Sequence, residues 1–292
     1  MKPCRRPKIN MKEDNMKQDF DFSFSIPRKP TGPVVALSAE EAETMLLKKL
    51  DESKAEPTRA LRQLAWFYSS SHQHEKALAR LRQLMDLLPN PEDKAACVLN
   101  MGATMESAGD FAAAVRYYKE ASALEPAETA TWYLIHNNLG FSLNKLGRFD
   151  EGEAYCRQAI KIDPTRPNAF KNLGIALDGQ GECREAARCF VAATQADAAD
   201  ERAFHLLEDL VQQHPELEYE FQDAIAACRE AIEYVKTQTP DMQPVVHRGW
   251  RKRVTLLRWR IASIFRRFKI PRPITAKRFT ASEESPTIPG KP

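Results

Sequence analysis

Six histidines (His72, His74, His136, His205, His214, His247) and six cysteines (Cys4, Cys97, Cys156, Cys183, Cys189, Cys228) are the residues that could supply a base, a nucleophile or a metal ligand in this chain of 292 residues. No two cysteines stand in CxxC spacing. The nearest pair, Cys183 and Cys189, has no second pair or histidine cluster beside it in the sequence. A zinc site needs four converging soft ligands, and no local stretch offers them. His72 and His74 form an HxH pair in a stretch that reads as a solvated turn, without a third ligand. No serine or cysteine near a histidine has a nucleophile-elbow context. Glycine is scarce, at 11 residues, and no GxGxxG or GxxxxGK[ST] run exists to cradle a phosphate. The expectation is a non-enzyme without cofactor or metal. Its isolated cysteines read as small core residues of a protein from a reducing compartment.

The polar type that does recur in phase is asparagine, and its phase is set by a repeat. Segments starting at Thr58, Ala95, Tyr133 and Pro167 align over 34 residues each, with a degenerate fifth starting at Glu201. Position seven reads Leu64, Met101, Leu139, Leu173. Position eight reads Ala65, Gly102, Gly140, Gly174, and position twenty reads Ala77, Ala114, Gly152, Ala186. Position twenty-seven reads Leu84, Ala121, Ala159, Ala193. Position thirty-two reads Pro89, Pro126, Pro164 and then Ala198. The fifth segment keeps Phe204 and Leu207 but has Glu208 where the small residue belongs. Each segment reads as two helices of about 14 residues around a turn at His72, Gly109, Gly147 or Gly181. Small residues let the paired helices approach, bulky ones fill the gaps, and the proline stops the second helix. One pair cannot bury its apolar stripe, whereas stacked pairs can. Position six of the segments reads Gln63, Asn100, Asn138, Asn172 and Leu206.

The stretches HNNLGFSLNKLGRFDEGEAYCRQAIKIDP (136–164) and FKNLGIALDGQGECREAARCF (170–190) resemble tetratricopeptide repeats, and the resemblance covers about residues 58–213. It implies an all-α, right-handed α-solenoid whose first helices line a concave groove, and binding of a protein or peptide segment rather than catalysis. The implied solenoid is residues 38–237, with units near 58–91, 95–128, 133–166, 167–200 and 201–237. Ser38 and Glu41 form a capping box at its start. The helix at 216–237 caps its end. In the implied groove, Asn100, Asn138 and Asn172 would form a ladder whose amides read a peptide backbone. Asn137, Asn168, Lys145, Lys171 and Arg62 lie beside it, with Trp66 and Phe141 as apolar anchors. The competing reading is that these asparagines bond between repeats. The pattern of a two-carboxylate clamp for chaperone C-termini is too incomplete here to expect that ligand.

The ends differ from the middle. Residues 1–37 carry eight basic and four acidic residues and read as a loosely attached lead-in. Within it Phe20, Phe22, Phe24 and Ile26 alternate with Asp and Ser. Residues 38–237 carry 22 basic and 33 acidic residues, and residues 238–292 carry 13 and three. The overall charge of +3 thus hides an acidic middle and a strongly basic end. Residues 247–278 hold twelve Lys or Arg and no Asp or Glu. Trp250, Val254, Leu257, Ile261, Ile264 and Phe268 fall on one helical face. Trp250, Arg251, Arg253, Leu257, Arg258, Trp259, Phe265, Arg266 and Arg267 are the candidate contacts. Four readings of this segment stand side by side: docking on the acidic repeats, an anionic membrane surface, a partner's groove, and nucleic acid. No signal-peptide pattern and no membrane-spanning run is found. The expected location is therefore cytoplasmic, with the inner membrane face as the alternative. The function expected first is a protein-interaction scaffold or adaptor. A peripheral membrane protein and a regulator contacting nucleic acid are the rivals.

Overall fold

A computed structural model describes residues 38–53 and 57–238. The alternating aromatics of the lead-in and every contact expected of residues 247–278 lie outside these residues. Eleven helices and no strand occur among the described residues, so the fold is all-α. Two compact units divide them, one ending at Ala127 and the other beginning at Glu128.

The amino-terminal unit holds α1 (Ala39–Glu52), α2 (Thr58–Ser70), α3 (His74–Met85), α4 (Pro91–Ser107) and α5 (Phe111–Ala123). The expected capping box is present: Glu41 N–H donates to Ser38 Oγ at 3.2 Å, and Ser38 N–H to Glu41 Oε2 at 2.7 Å. Yet α1 buries no residue completely. It is held by half-buried Leu46 and Leu50 against Leu64, Tyr68 and Ala77. Glu43 adds two contacts, accepting from the Tyr68 hydroxyl at 2.9 Å and from Lys76 Nζ at 3.1 Å. A larger cluster, from Leu61 to Met101, joins α2, α3 and α4.

The carboxy-terminal unit holds α6 (Thr129–Lys145), α7 (Phe149–Ile162), α8 (Pro167–Gln180), α9 (Cys183–Ala196), α10 (Arg202–Gln213) and α11 (Glu216–Gln238). One continuous cluster runs through it from Tyr133 to Val235. Its alanines, among them Ala159, Ala169, Ala186 and Ala193, are fully buried, which brings the helix axes close.

The sequence pattern has direct physical counterparts. All four turns between paired helices pass through a left-handed residue: His72 at φ 57°, Gly109 at 81°, Gly147 at 72° and Gly181 at 84°. Glycine accepts that conformation without strain, and His72 takes it at a cost. The small residue at position eight faces the residue at position twenty-four of the same pair. A Cβ on Gly102 would lie 2.5 Å from the Tyr118 ring, and one on Gly174 would lie 2.5 Å from the Phe190 ring. Gly140 stands likewise against Cys156 Sγ. The residues inserted between repeats lengthen the first helices: α4 and α6 are 17 residues long and start ahead of Ala95 and Tyr133.

The missing proline at Ala198 is compensated. Asp163, before Pro164, accepts the Thr165 N–H at 3.0 Å, and Asp197, before Ala198, accepts the Ala199 N–H at 3.0 Å. Both aspartates close their helix in the same extended geometry (φ −142°, ψ 94° and φ −151°, ψ 97°). An aspartate turn therefore ends α9 without the ring. Glu208, which breaks the small-residue rule, accepts from Arg229 of α11 at 3.0 Å.

Candidate functional site

The candidate residues fall in both units, and each unit is described by itself. In the amino-terminal unit Arg62 on α2 is half-buried and donates to Asp93 on α4 at 3.4 Å. Trp66 is 58% exposed, the most open tryptophan side chain of the described residues. Asn100 on α4 is half-buried, and its carbonyl accepts the Thr104 hydroxyl at 2.8 Å.

In the carboxy-terminal unit four asparagines of α6 and α8 form one buried cluster. Asn137, Asn138, Asn144 and Asn172 are each no more than 6% exposed. Asn172 Nδ2 donates to Asn137 Oδ1 at 3.1 Å, and Asn137 Nδ2 donates to Asn138 Oδ1 at 3.0 Å. Asn144 Nδ2 donates to the Asn172 backbone carbonyl at 2.7 Å. Its Oδ1 packs where a Cβ of Gly152 would stand. These amides thus tie α6 to α8. Buried amides need such partners, because leaving one unpaired costs about 1–3 kcal/mol. Two acceptors of the cluster, Asn144 Oδ1 and Asn172 Oδ1, are buried without a hydrogen-bond donor, the first of them packed against Gly152.

The same two helices also carry half-buried residues: Leu134 and Lys145 on α6, and Asn168, Lys171 and Ile175 on α8. Lys145 Nζ lies 5.5 Å from the centre of the Phe141 ring, a cation–π distance. Phe141 itself is 9% exposed, so it serves more as a floor than as a projecting anchor. Lys171 Nζ donates to Asn168 Oδ1 at 3.3 Å. Lys171 also helps hold the Asp200 carboxyl below its ordinary value, together with Arg202 and against the effect of burial. Further along α6, His136 is stacked between Trp132 and Tyr155 at 5.4 and 5.9 Å. Its Nδ1–H donates to the Trp132 carbonyl at 2.8 Å, and burial lowers its pKa.

Sequence reasoning missed two features. The bond of Asn144 to the backbone of the neighbouring helix has no signal in a single sequence. The reading of the isolated cysteines as core residues does not hold for Cys183. It is instead half-exposed and stands 3.3 Å from His214, a residue 31 positions away. The other described cysteines, Cys97, Cys156, Cys189 and Cys228, are buried. His74 is half-buried rather than solvated, and burial lowers its pKa. Among the described residues no group of three or more His, Cys, Asp or Glu could hold a metal ion. Among them, too, no helix is long and apolar enough to cross a membrane.

Two tetratricopeptide-repeat profiles match the chain, one over residues 133–166 and one over residues 60–95. A stretch of 98 residues is 30% identical to tetratricopeptide repeat protein 7B of Homo sapiens, covering 34% of this chain and 11% of that protein. A stretch of 115 residues is 30% identical to small glutamine-rich tetratricopeptide repeat-containing protein 2 of Mycosarcoma maydis, covering 39% of this chain and 32% of that protein. The chain therefore spans a third or less of the length of these relatives. Among solved structures, BtubC (BKLC) from P. vanneervenii is similar with a TM-score of 0.57 at 16% identity, over 73% of this chain and 96% of that one. This last likeness is one of fold. Helix pairs of the expected length, left-handed turn residues and small-on-large packing agree with the two matched profiles, which identify residues 60–95 and 133–166 as tetratricopeptide repeats.

Proposed function

We propose that the protein is a non-catalytic interaction scaffold that holds an extended segment of another protein along the first helices of its repeats. The contact face of the carboxy-terminal unit is that of α6 and α8. The single observation that carries this reading is the buried asparagine cluster of these two helices. A purely structural contact between two helices is served as well by apolar residues, and four amides in one place are costly unless they do more. Asn172 Oδ1, buried without a donor, is the atom that a bound peptide N–H would satisfy after a small local shift.

The neighbours suggest the chemistry of the bound segment. Leu134 and Ile175 give apolar contact, and Lys145 and Lys171 favour a carboxylate. The expected ligand is an extended segment with an apolar residue and an acidic side chain or free carboxyl terminus. Asn100, Arg62 and Trp66 make the corresponding face of α2 and α4 in the amino-terminal unit.

Selection from a displayed random peptide library on the full-length chain tests this. Acidic peptides with an apolar residue should be enriched. The double variant Lys145→Glu, Lys171→Glu should lose them, while Arg184→Glu, Arg188→Glu on the second-helix side should keep them. Equal retention by both variants, with helix content unchanged, would contradict the proposed face.

A further inference from the structure

Away from the asparagine cluster, three helices of the carboxy-terminal unit meet at a thiol, an imidazole and a carboxylate. Cys183 is the first residue of α9, following the left-handed Gly181 that ends α8. His214 closes α10, and Glu216 opens α11. Cys183 Sγ lies 3.3 Å from His214 Nε2, and His214 Nδ1 lies 3.4 Å from Glu216 Oε1. The imidazole therefore has the thiol at one nitrogen and the carboxylate at the other. A proton on Nδ1, held toward Glu216, turns the Nε2 lone pair to the thiol, which can pass its proton there. Asp178 of α8 adds a second carboxyl to the field of His214, which draws its pKa down against the larger, upward effect of burial.

The ring is held in place by the backbone on both sides. The His214 N–H donates to the Leu210 carbonyl at 2.9 Å, and its own carbonyl accepts the Leu217 N–H at 2.9 Å. Its side chain is 16% exposed, while Cys183 is open enough to meet a small reagent. The sulfur also stands at the amino end of a 14-residue helix, where negative charge is favoured. None of this holds for the other described cysteines. Burial pushes the Cys97, Cys189 and Cys228 thiols up to about 12, and the fully buried Cys156 thiol up as well. Those four are packing residues, and Cys183 is built differently.

We propose that Cys183 is a modification site that undergoes reversible exchange with a low-molecular-weight disulfide, with His214 as the base in contact with the sulfur. The Cys183 proton passes to His214 Nε2 as its sulfur attacks one sulfur of the disulfide. The new S–S bond forms as the old one breaks, and the departing thiolate takes the proton from the imidazole to leave as a thiol. One disulfide is consumed and one formed, so no further oxidant or reductant is needed. The mixed disulfide draws the sulfur off His214 and removes the thiol–imidazole contact, while Arg184 of α9 keeps its pair with Glu220 of α11. The reading does not depend on the peptide-binding face of α6 and α8.

The test exposes the full-length chain to glutathione disulfide near neutral pH and follows each cysteine by site-resolved mass spectrometry. A peptide of residues 179–187, which carries the same local sequence without His214, gives the reference rate. Cys183 in the chain should exchange about tenfold faster than in the peptide. His214→Asn should remove most of that gain, Glu216→Gln a smaller part, and added thiol should reverse the modification. Glu216 is mostly exposed, so that variant keeps the fold intact if His214→Asn does not. A rate in the chain no greater than in the peptide would overturn the proposal. So would an unchanged rate in a folded His214→Asn variant, or in Glu216→Gln and His214→Asn together.

Discussion

A single methyl group is the sharpest test of how the repeats pack. Gly174→Ala would place a Cβ 2.5 Å from the Phe190 ring, which is itself only 1% exposed. The expected loss is about 2 kcal/mol in urea denaturation, because an overpacked core must shift backbone or ring. Pairing it with Phe190→Leu should recover part of that loss, and simple additivity of the two would rule out the contact. The small-on-large rule was legible in the sequence because position eight stays small through four repeats. The partner of each glycine was not, since nothing in one sequence says which bulky residue fills the gap. Histidine gives a second residue-scale prediction. His136 is kept from protonation by burial, so its folded pKa lies below the ordinary 6.5. As pH falls through 6.5, the unfolded chain gains a proton that the folded chain refuses, and stability falls. Urea midpoints at pH 7.5 and 5.5 should differ less for His136→Phe, which keeps the stacking on Trp132 and Tyr155. An unchanged difference would place the acid sensitivity elsewhere, with the half-buried His74 next in line.

At the scale of the element, helix ends explain why a repeat survives the loss of its consensus residue. The sequence marks Ala198 as a departure because proline is absent there. The aspartate before it supplies the stop through a side-chain bond to the chain two residues on. Asp197→Ala should cost about 1 kcal/mol in thermal denaturation, with the loss concentrated at the α9–α10 turn. No loss at all would mean that α9 ends for another reason. Aspartates two residues before a backbone N–H occur in many loops, so this device carries too little signal to be read without the helix ends in view. The same limit applied to the asparagine cluster. Its helical phase was evident from Asn138 and Asn172, but its bonds run between helices 28 to 35 residues apart in sequence.

The molecule as a whole is uneven in how firmly its helices are held. The carboxy-terminal unit shares one cluster from α6 to α11, whereas α1 has no fully buried side chain. Amide hydrogen exchange should therefore be fastest in α1 and slowest in the α6–α9 core. Protection of α1 equal to that of α8 would contradict this ordering. The all-α class and the turn residues could be read from periodicity, because each repeat restates them. The proposed binding face rests on residues that are polar, few and partly spent on bonds within the protein, so periodicity marks it only in outline. The most direct measurement of the central claim is hydrogen exchange of the full-length chain with and without a saturating peptide from the library selection. The expected result is slowed exchange in α6 and α8, around Asn138 and Asn172, with α7 and α9 little changed. Protection confined to α7 and α9, or to residues outside the helices, would contradict the claim that this protein holds its partner along the first helices of its repeats.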